Sequence, residues 1–157
     1  MNNIMRYDRS DFADMVSVTS REMGLREAVV EKDFWVCAAL DYLFHRCKWK
    51  DAFTFKGGTS LSKAYGLIKR FSEDIDIMLD WRVIGYDMKE PWEERSKTRQ
   101  DIFNKEANTR TELFLKEKML PAITDDLKAE AGDEINCLIL DDDPQTIIIR
   151  YPRIYSE

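Results

Sequence analysis

Apolar positions along this chain follow two periods, and the switches between them divide it into elements. Ser10 stands ahead of Phe12, Met15, Val16 and Met23, which recur near helical spacing until Gly24, so the pattern predicts a first helix capped at Ser10 and stopped at Gly24. A longer helix is expected from Arg26 to about Arg46, with Val29, Val30, Phe34, Cys37, Leu40, Leu43 and Phe44 on one broad apolar face. Glu31, Lys32 and Asp33 interrupt that face near its start and read as a solvated patch. Ala52, Phe53 and Phe55 then mark a strand, the pair Gly57-Gly58 a turn, and Ile75, Ile77 and Leu79 a second strand alternating with polar residues. Pro91-Trp92 opens a segment to Met119 whose basic and acidic residues nearly cancel, with Ile102, Phe103, Ala107, Leu113 and Phe114 as sparse apolar points. That is the pattern of an exposed helix braced by i,i+4 pairs. Pro121 begins a short helix ending before Gly132. Ile135 to Leu140, the turn Asp141-Asp142-Asp143-Pro144 and Gln145 to Tyr151 form a β-hairpin. The expected fold is α+β: a mixed sheet of about four strands with helices packed on it, its last strand an open edge through which the chain would self-associate.

The stretch Phe53 to Lys63, followed by Arg70-Phe-Ser-Glu-Asp74-Ile-Asp76-Ile-Met-Leu79, carries the candidate chemistry. Residues two apart on a strand point to the same face and lie roughly 6.6 Å apart, so Asp74 and Asp76 can both reach divalent cations while Ile75, Ile77 and Leu79 face the core. Gly57 and Gly58 turn the chain without a Cβ in the way, which lets backbone N–H groups approach a phosphate. Thr59 and Ser60 can cap the following helix and offer hydroxyls to the same anion, and Lys63 and Arg70 supply cations beside it. Each piece alone is weak, since a double glycine after a strand is usually an ordinary turn and a DxD a solvated strand face. The order of the pieces gives them force.

Composition bounds the answer without naming a reaction. At 157 residues with 44% apolar and 34% charged, the chain can bury a core of its own, and length suggests a single domain, residues 1–157, with N-terminal helices to residue 50 and the catalytic core from 51 onward. There is no run of 18 apolar residues and no signal-peptide order at Met1, so a soluble cytoplasmic protein without a membrane partner is expected. A net charge of −6 argues against nucleic-acid binding through the overall field and leaves any basic surface local, around Lys56, Lys63, Lys69 and Arg70. Cys37, Cys47 and Cys137 have no zinc-ligand spacing and read as reduced, packed thiols; His45 reads as a helix-end surface residue.

The segment Phe55-Lys-Gly-Gly-Thr-Ser-Leu-Ser-Lys-Ala-Tyr65 with Arg70-Phe-Ser-Glu-Asp-Ile-Asp76 resembles the AbiEii nucleotidyltransferase toxins, a branch of the DNA polymerase beta-like nucleotidyltransferase superfamily. The run Val30-Glu-Lys-Asp-Phe-Trp-Val36 looks like that family's helix before the first strand, which would bring Glu31, Lys32 and Asp33 to the outer rim of the site. The resemblance implies a polymerase beta-like core and a bacterial toxin of the toxin–antitoxin or abortive-infection type, with a cognate antitoxin. Such a protein transfers a nucleotidyl group from a nucleoside triphosphate, with Mg²⁺ or Mn²⁺, to an RNA (such as tRNA) or protein acceptor. Gly58 and Ser60 match the first motif, Lys63 its phosphate-contacting lysine, and Asp74 and Asp76 the metal carboxylates and catalytic pair. Members of the family usually run well beyond 157 residues, through a further strand with a third acidic residue and a helical C-terminal region, so a truncated or degenerate copy is expected. The competing reading is a degenerate domain that binds nucleotide or a partner without turnover. Another phosphate-transfer enzyme is disfavoured because no GxxxxGK[ST] loop is present.

Overall fold

The computed structural model describes residues 8–63 and 74–156. The chain gathers into two compact units, one of residues 1–78 with 151–157 and one of residues 79–150. Its mixture of helices with small sheets is the α+β class expected.

The first unit begins with helix α1, Arg9–Met23. Asp8, rather than Ser10, caps it: the Asp8 carboxylate accepts the Ser10 N–H at 2.8 Å. Gly24 ends the helix as expected, in the left-handed conformation at φ 66°, with its N–H bonded to the Ser20 carbonyl. Helix α2, Glu27–Asp41, continues into one π turn over Tyr42–Arg46. Of the expected apolar face, Leu43 is buried and Val29, Val30, Phe34, Leu40 and Phe44 are half-buried. Val36, Ala38, Ala39, Tyr42 and Leu43 are buried together with Glu31, which is only 1% exposed, whereas Cys37 lies at the surface.

Glu31, expected in a solvated patch, turns inward instead. Its two carboxylate oxygens accept the backbone N–H groups of Ile154 at 2.8 Å and Tyr155 at 2.9 Å, an arrangement that satisfies a buried charge with strong donors. The segment after Arg150 is thereby fastened to the helix pair. Tyr151 stacks on Trp35 at 5.1 Å, and the Tyr155 hydroxyl donates to the Ala13 carbonyl at 3.0 Å. Phe12 meets Phe34 edge-on at 4.8 Å, joining α1 to α2. Farther along, Phe44 packs on Phe53 and Phe55 of strand β1, Phe53–Lys56, and so sets the strand against the end of α2. Helix α3, Gly57–Lys63, follows without a linker, and strand β2, Asp76–Leu79, pairs with β1.

In the second unit Trp81, Tyr86 and Phe103 form an aromatic cluster, with the Arg95 guanidinium over Phe103 at 4.1 Å and that of Arg110 over Tyr86 at 4.4 Å. Helix α4, Lys97–Phe114, is capped by Ser96 and buries Phe103, Ala107 and Phe114. It runs through a π turn, Leu115–Met119, into helix α5, Leu120–Ala131. Pro121 explains the π turn: its ring lacks an N–H and crowds the carbonyl four residues back, so the preceding turn widens rather than ending the helix. Gly132, at φ 105°, closes α5 where expected.

The hairpin is present with a tighter turn than expected. Strand β3, Asn136–Leu140, pairs antiparallel with β4, Asp143–Arg150, and Asp143 already faces Leu140, leaving Asp141 and Asp142 as the turn. The expected mixed sheet of about four strands is corrected: among the described residues, β1–β2 and β3–β4 are separate two-stranded sheets. The hairpin buries Ile135 and Cys137 with Ile123 and Leu127 of α5 in the second unit, so its apolar face has a helical partner there.

Candidate functional site

Strand β1 delivers the chain to Gly57 and Gly58, both exposed. The two glycines differ in kind. Gly57 holds φ 75°, a left-handed conformation that side chains disfavour, and a Cβ built on it would lie 2.0 Å from Oδ2 of Asp76. Gly58 has ordinary φ and open space around the position of its missing Cβ. Thus the carboxylate of Asp76 occupies the volume that any other residue at 57 would fill, and one glycine motif and one aspartate motif share a single pocket of backbone.

A second tie holds the two halves in register. The Thr59 hydroxyl donates to the Asp74 carbonyl across fifteen residues of sequence, and Thr59 is 1% exposed. Ser60, also buried, donates from Oγ to the Gly57 carbonyl at 3.0 Å. Both hydroxyls donate to backbone carbonyls, where burial demands a partner. Their work is to hold the glycine turn and the Asp74 backbone together.

Asp74 and Asp76 are both exposed, while Ile75, Ile77 and Leu79 are half-buried; the exposure alternates as on a strand with one wet face, though β2 itself begins at Asp76 and Asp74 lies just ahead of it. Two exposed carboxylates offer hard oxygen ligands of the kind Mg²⁺ or Mn²⁺ takes, and the space kept by Gly57 lets the Asp76 side chain sit against the turn. Among the described residues no group of three or more His, Cys, Asp or Glu side chains gathers as a metal cage, so a cation here would need oxygens from substrate or solvent to complete its shell.

Lys63, at the end of α3, is directed to α2. Its ammonium forms an ion pair and hydrogen bond with Oδ1 of Asp33, and the two side chains are 23% and 38% exposed. Cys37, one helical turn beyond Asp33, places Sγ 3.9 Å from the other Asp33 oxygen. Burial pushes the Cys37 thiol up, with the nearby Lys63 ammonium opposing and the Asp33 carboxylate adding to the rise. The resemblance implied Asp33 at the rim of the site, but sequence reasoning did not pair it with Lys63 or with Cys37, although Asp33 and Cys37 stand at i,i+4 spacing on a helix, the spacing that puts two side chains on one face. Arg70, the remaining candidate, lies outside the described residues. His45 sits at the helix end expected for it, with Nδ1 3.1 Å from the Asp41 carbonyl.

None of the helices, among the described residues, is long and apolar enough to cross a membrane. No curated protein and no solved structure matches the chain. One family model does, and it spans residues 39–156, from the second half of α2 through the glycine turn, both aspartates and the hairpin. It begins after the run Val30–Val36, so Asp33 lies outside the matched residues. With the glycine turn, the DxD strand and this match over most of its length, the chain belongs to the AbiEii family, described as the nucleotidyl transferase AbiEii toxin of a type IV toxin–antitoxin system.

Proposed function

We propose that the first unit carries the nucleotide- and metal-handling part of a nucleotidyl transfer, on a polymerase beta-like core. The observation that carries the reading is the contact between Gly57 and Asp76: the turn that would admit phosphates lacks a Cβ where a candidate metal ligand sits. Backbone N–H groups at Gly57 and Gly58 receive the triphosphate, with Lys63 and Arg70 as cationic partners. Asp74 and Asp76 would hold Mg²⁺ or Mn²⁺, which would supply positive charge to the phosphate oxygens. An acceptor hydroxyl of RNA or protein forms a bond to the α-phosphorus, the bond from that phosphorus to the bridging oxygen breaks, and pyrophosphate leaves with the electron pair while the hydroxyl proton passes to solvent. Thr59 and Ser60 keep the turn and the Asp74 backbone in place during the step. Family membership supports a cognate antitoxin as partner and a cytoplasmic setting.

Calorimetry with Mg²⁺ and each ribonucleoside triphosphate, comparing wild type with Asp74→Asn plus Asp76→Asn, tests the metal role. Binding should depend on both metal and carboxylates, and equal affinity in the two proteins removes the assignment. Incubation with labelled triphosphate and bacterial RNA or protein then distinguishes transfer from the alternative of a binding module without turnover.

A further inference from the structure

Resting on the nucleotide reading above, we propose that Asp33 is the resting counter-ion of Lys63 and competes with the triphosphate for its ammonium, so that Asp33 sets the affinity of the site. Three observations meet here. Lys63 is the described cation at the far end of the glycine-led helix α3, and its ammonium is bonded to a carboxylate of a different helix. Neither partner is fully solvated, at 23% and 38% exposure, so water screens the pair only in part. The exposed Cys37 thiol lies beside the same carboxylate.

Competition, rather than sharing, follows from charge. A phosphate oxygen bonded to the Lys63 ammonium while Asp33 stays in place would bring two anions to within a few ångströms across one cation, and like charges at that range repel appreciably at protein-surface dielectric. Lysine has a flexible four-carbon stem, so the ammonium can exchange one anion for the other. Nucleotide binding therefore breaks the tie between α2 and α3, and the Asp33 carboxylate is released to solvent. Cys37 then loses the positive charge that favours its thiolate and keeps the negative one that opposes it.

Wild type, Asp33→Asn, Lys63→Ala and the double variant are titrated calorimetrically with magnesium and each of the four ribonucleoside triphosphates. Asp33→Asn should tighten binding about fivefold, the upper end for removing a partly exposed ion pair. Lys63→Ala should weaken it, and the double variant should match Lys63→Ala, because the gain exists only through the lysine. A readout on unmodified protein accompanies this one: Cys47 and Cys137 are buried, so iodoacetamide reports Cys37, and its rate should fall when wild type is saturated with triphosphate. Unchanged or weaker binding by Asp33→Asn, a gain that persists without Lys63, or a Cys37 rate indifferent to nucleotide overturns the competition. Absence of triphosphate binding to wild type would instead sink the nucleotide reading itself.

Discussion

Substituting the two adjacent glycines separately should give opposite results. Gly57→Ala places a methyl group 2.0 Å from Oδ2 and 2.8 Å from Cγ of Asp76, well inside contact distance, in a residue held at φ 75°. The left-handed backbone costs roughly 1–2 kcal/mol for a residue with a Cβ, and moving the Asp76 carboxylate off its rotamer about 0.5–1.5 kcal/mol more. A loss of about 2–3 kcal/mol corresponds to a fall in melting temperature of roughly 4–12 °C for a chain of this size, if the transition is cooperative. Asp76 is also displaced, so metal-dependent triphosphate binding should be lost along with stability. Gly58→Ala meets no atom within 4 Å and no backbone strain, and it stands in a helix, where alanine is favoured over glycine by up to about 1 kcal/mol. That variant should melt at or slightly above wild type, while its new methyl group hinders close approach of a phosphate to the turn. Scanning calorimetry reads the first quantity and titration with magnesium and triphosphate the second. If Gly57→Ala melts like wild type, or Gly58→Ala is the more damaging to stability, the account of the turn is wrong.

Two further outcomes follow from other parts of the chain. Glu31→Ala leaves a cavity at a fully buried position, removes the acceptor for two part-buried N–H groups and should destabilise by about 2–4 kcal/mol, with the amides of Ile154 and Tyr155 losing their protection in hydrogen exchange; slow exchange there in the variant would refute the clamp. Hydrogen bonds from the Arg82 side chain and backbone N–H hold the Asp80 carboxyl down to about 2. Because the folded value lies below the usual carboxylate value, the small stabilisation from this exposed pair is present above about pH 4 and is lost as pH falls toward 2. A carbon-detected NMR titration should show Asp80 titrating near 2 and moving up in Arg82→Ala, and no movement would contradict the assignment.

Sequence alone carried the local order of this protein. Helical spacing, Gly24 and Gly132 placed the helix ends, alternation at Ile75, Ile77 and Leu79 placed the second strand, and the glycine–DxD sequence pointed to the family that the match over residues 39–156 then showed. These are signals written within a few residues of where they act. What the tertiary structure decided lies in pairs distant along the chain. Glu31 looked like a solvated residue because its partners, the N–H groups of Ile154 and Tyr155, are 123 and 124 residues away, and backbone donors leave no trace in side-chain pattern. Likewise, the hydroxyls of Thr59 and Ser60 donate to the carbonyls of Asp74 and Gly57, and the ammonium of Lys63 pairs with Asp33 of α2, thirty residues upstream, partners that the sequence does not name. The four-strand sheet failed for a related reason, since alternation predicts that a strand has an apolar face and does not say which strand or helix will cover it.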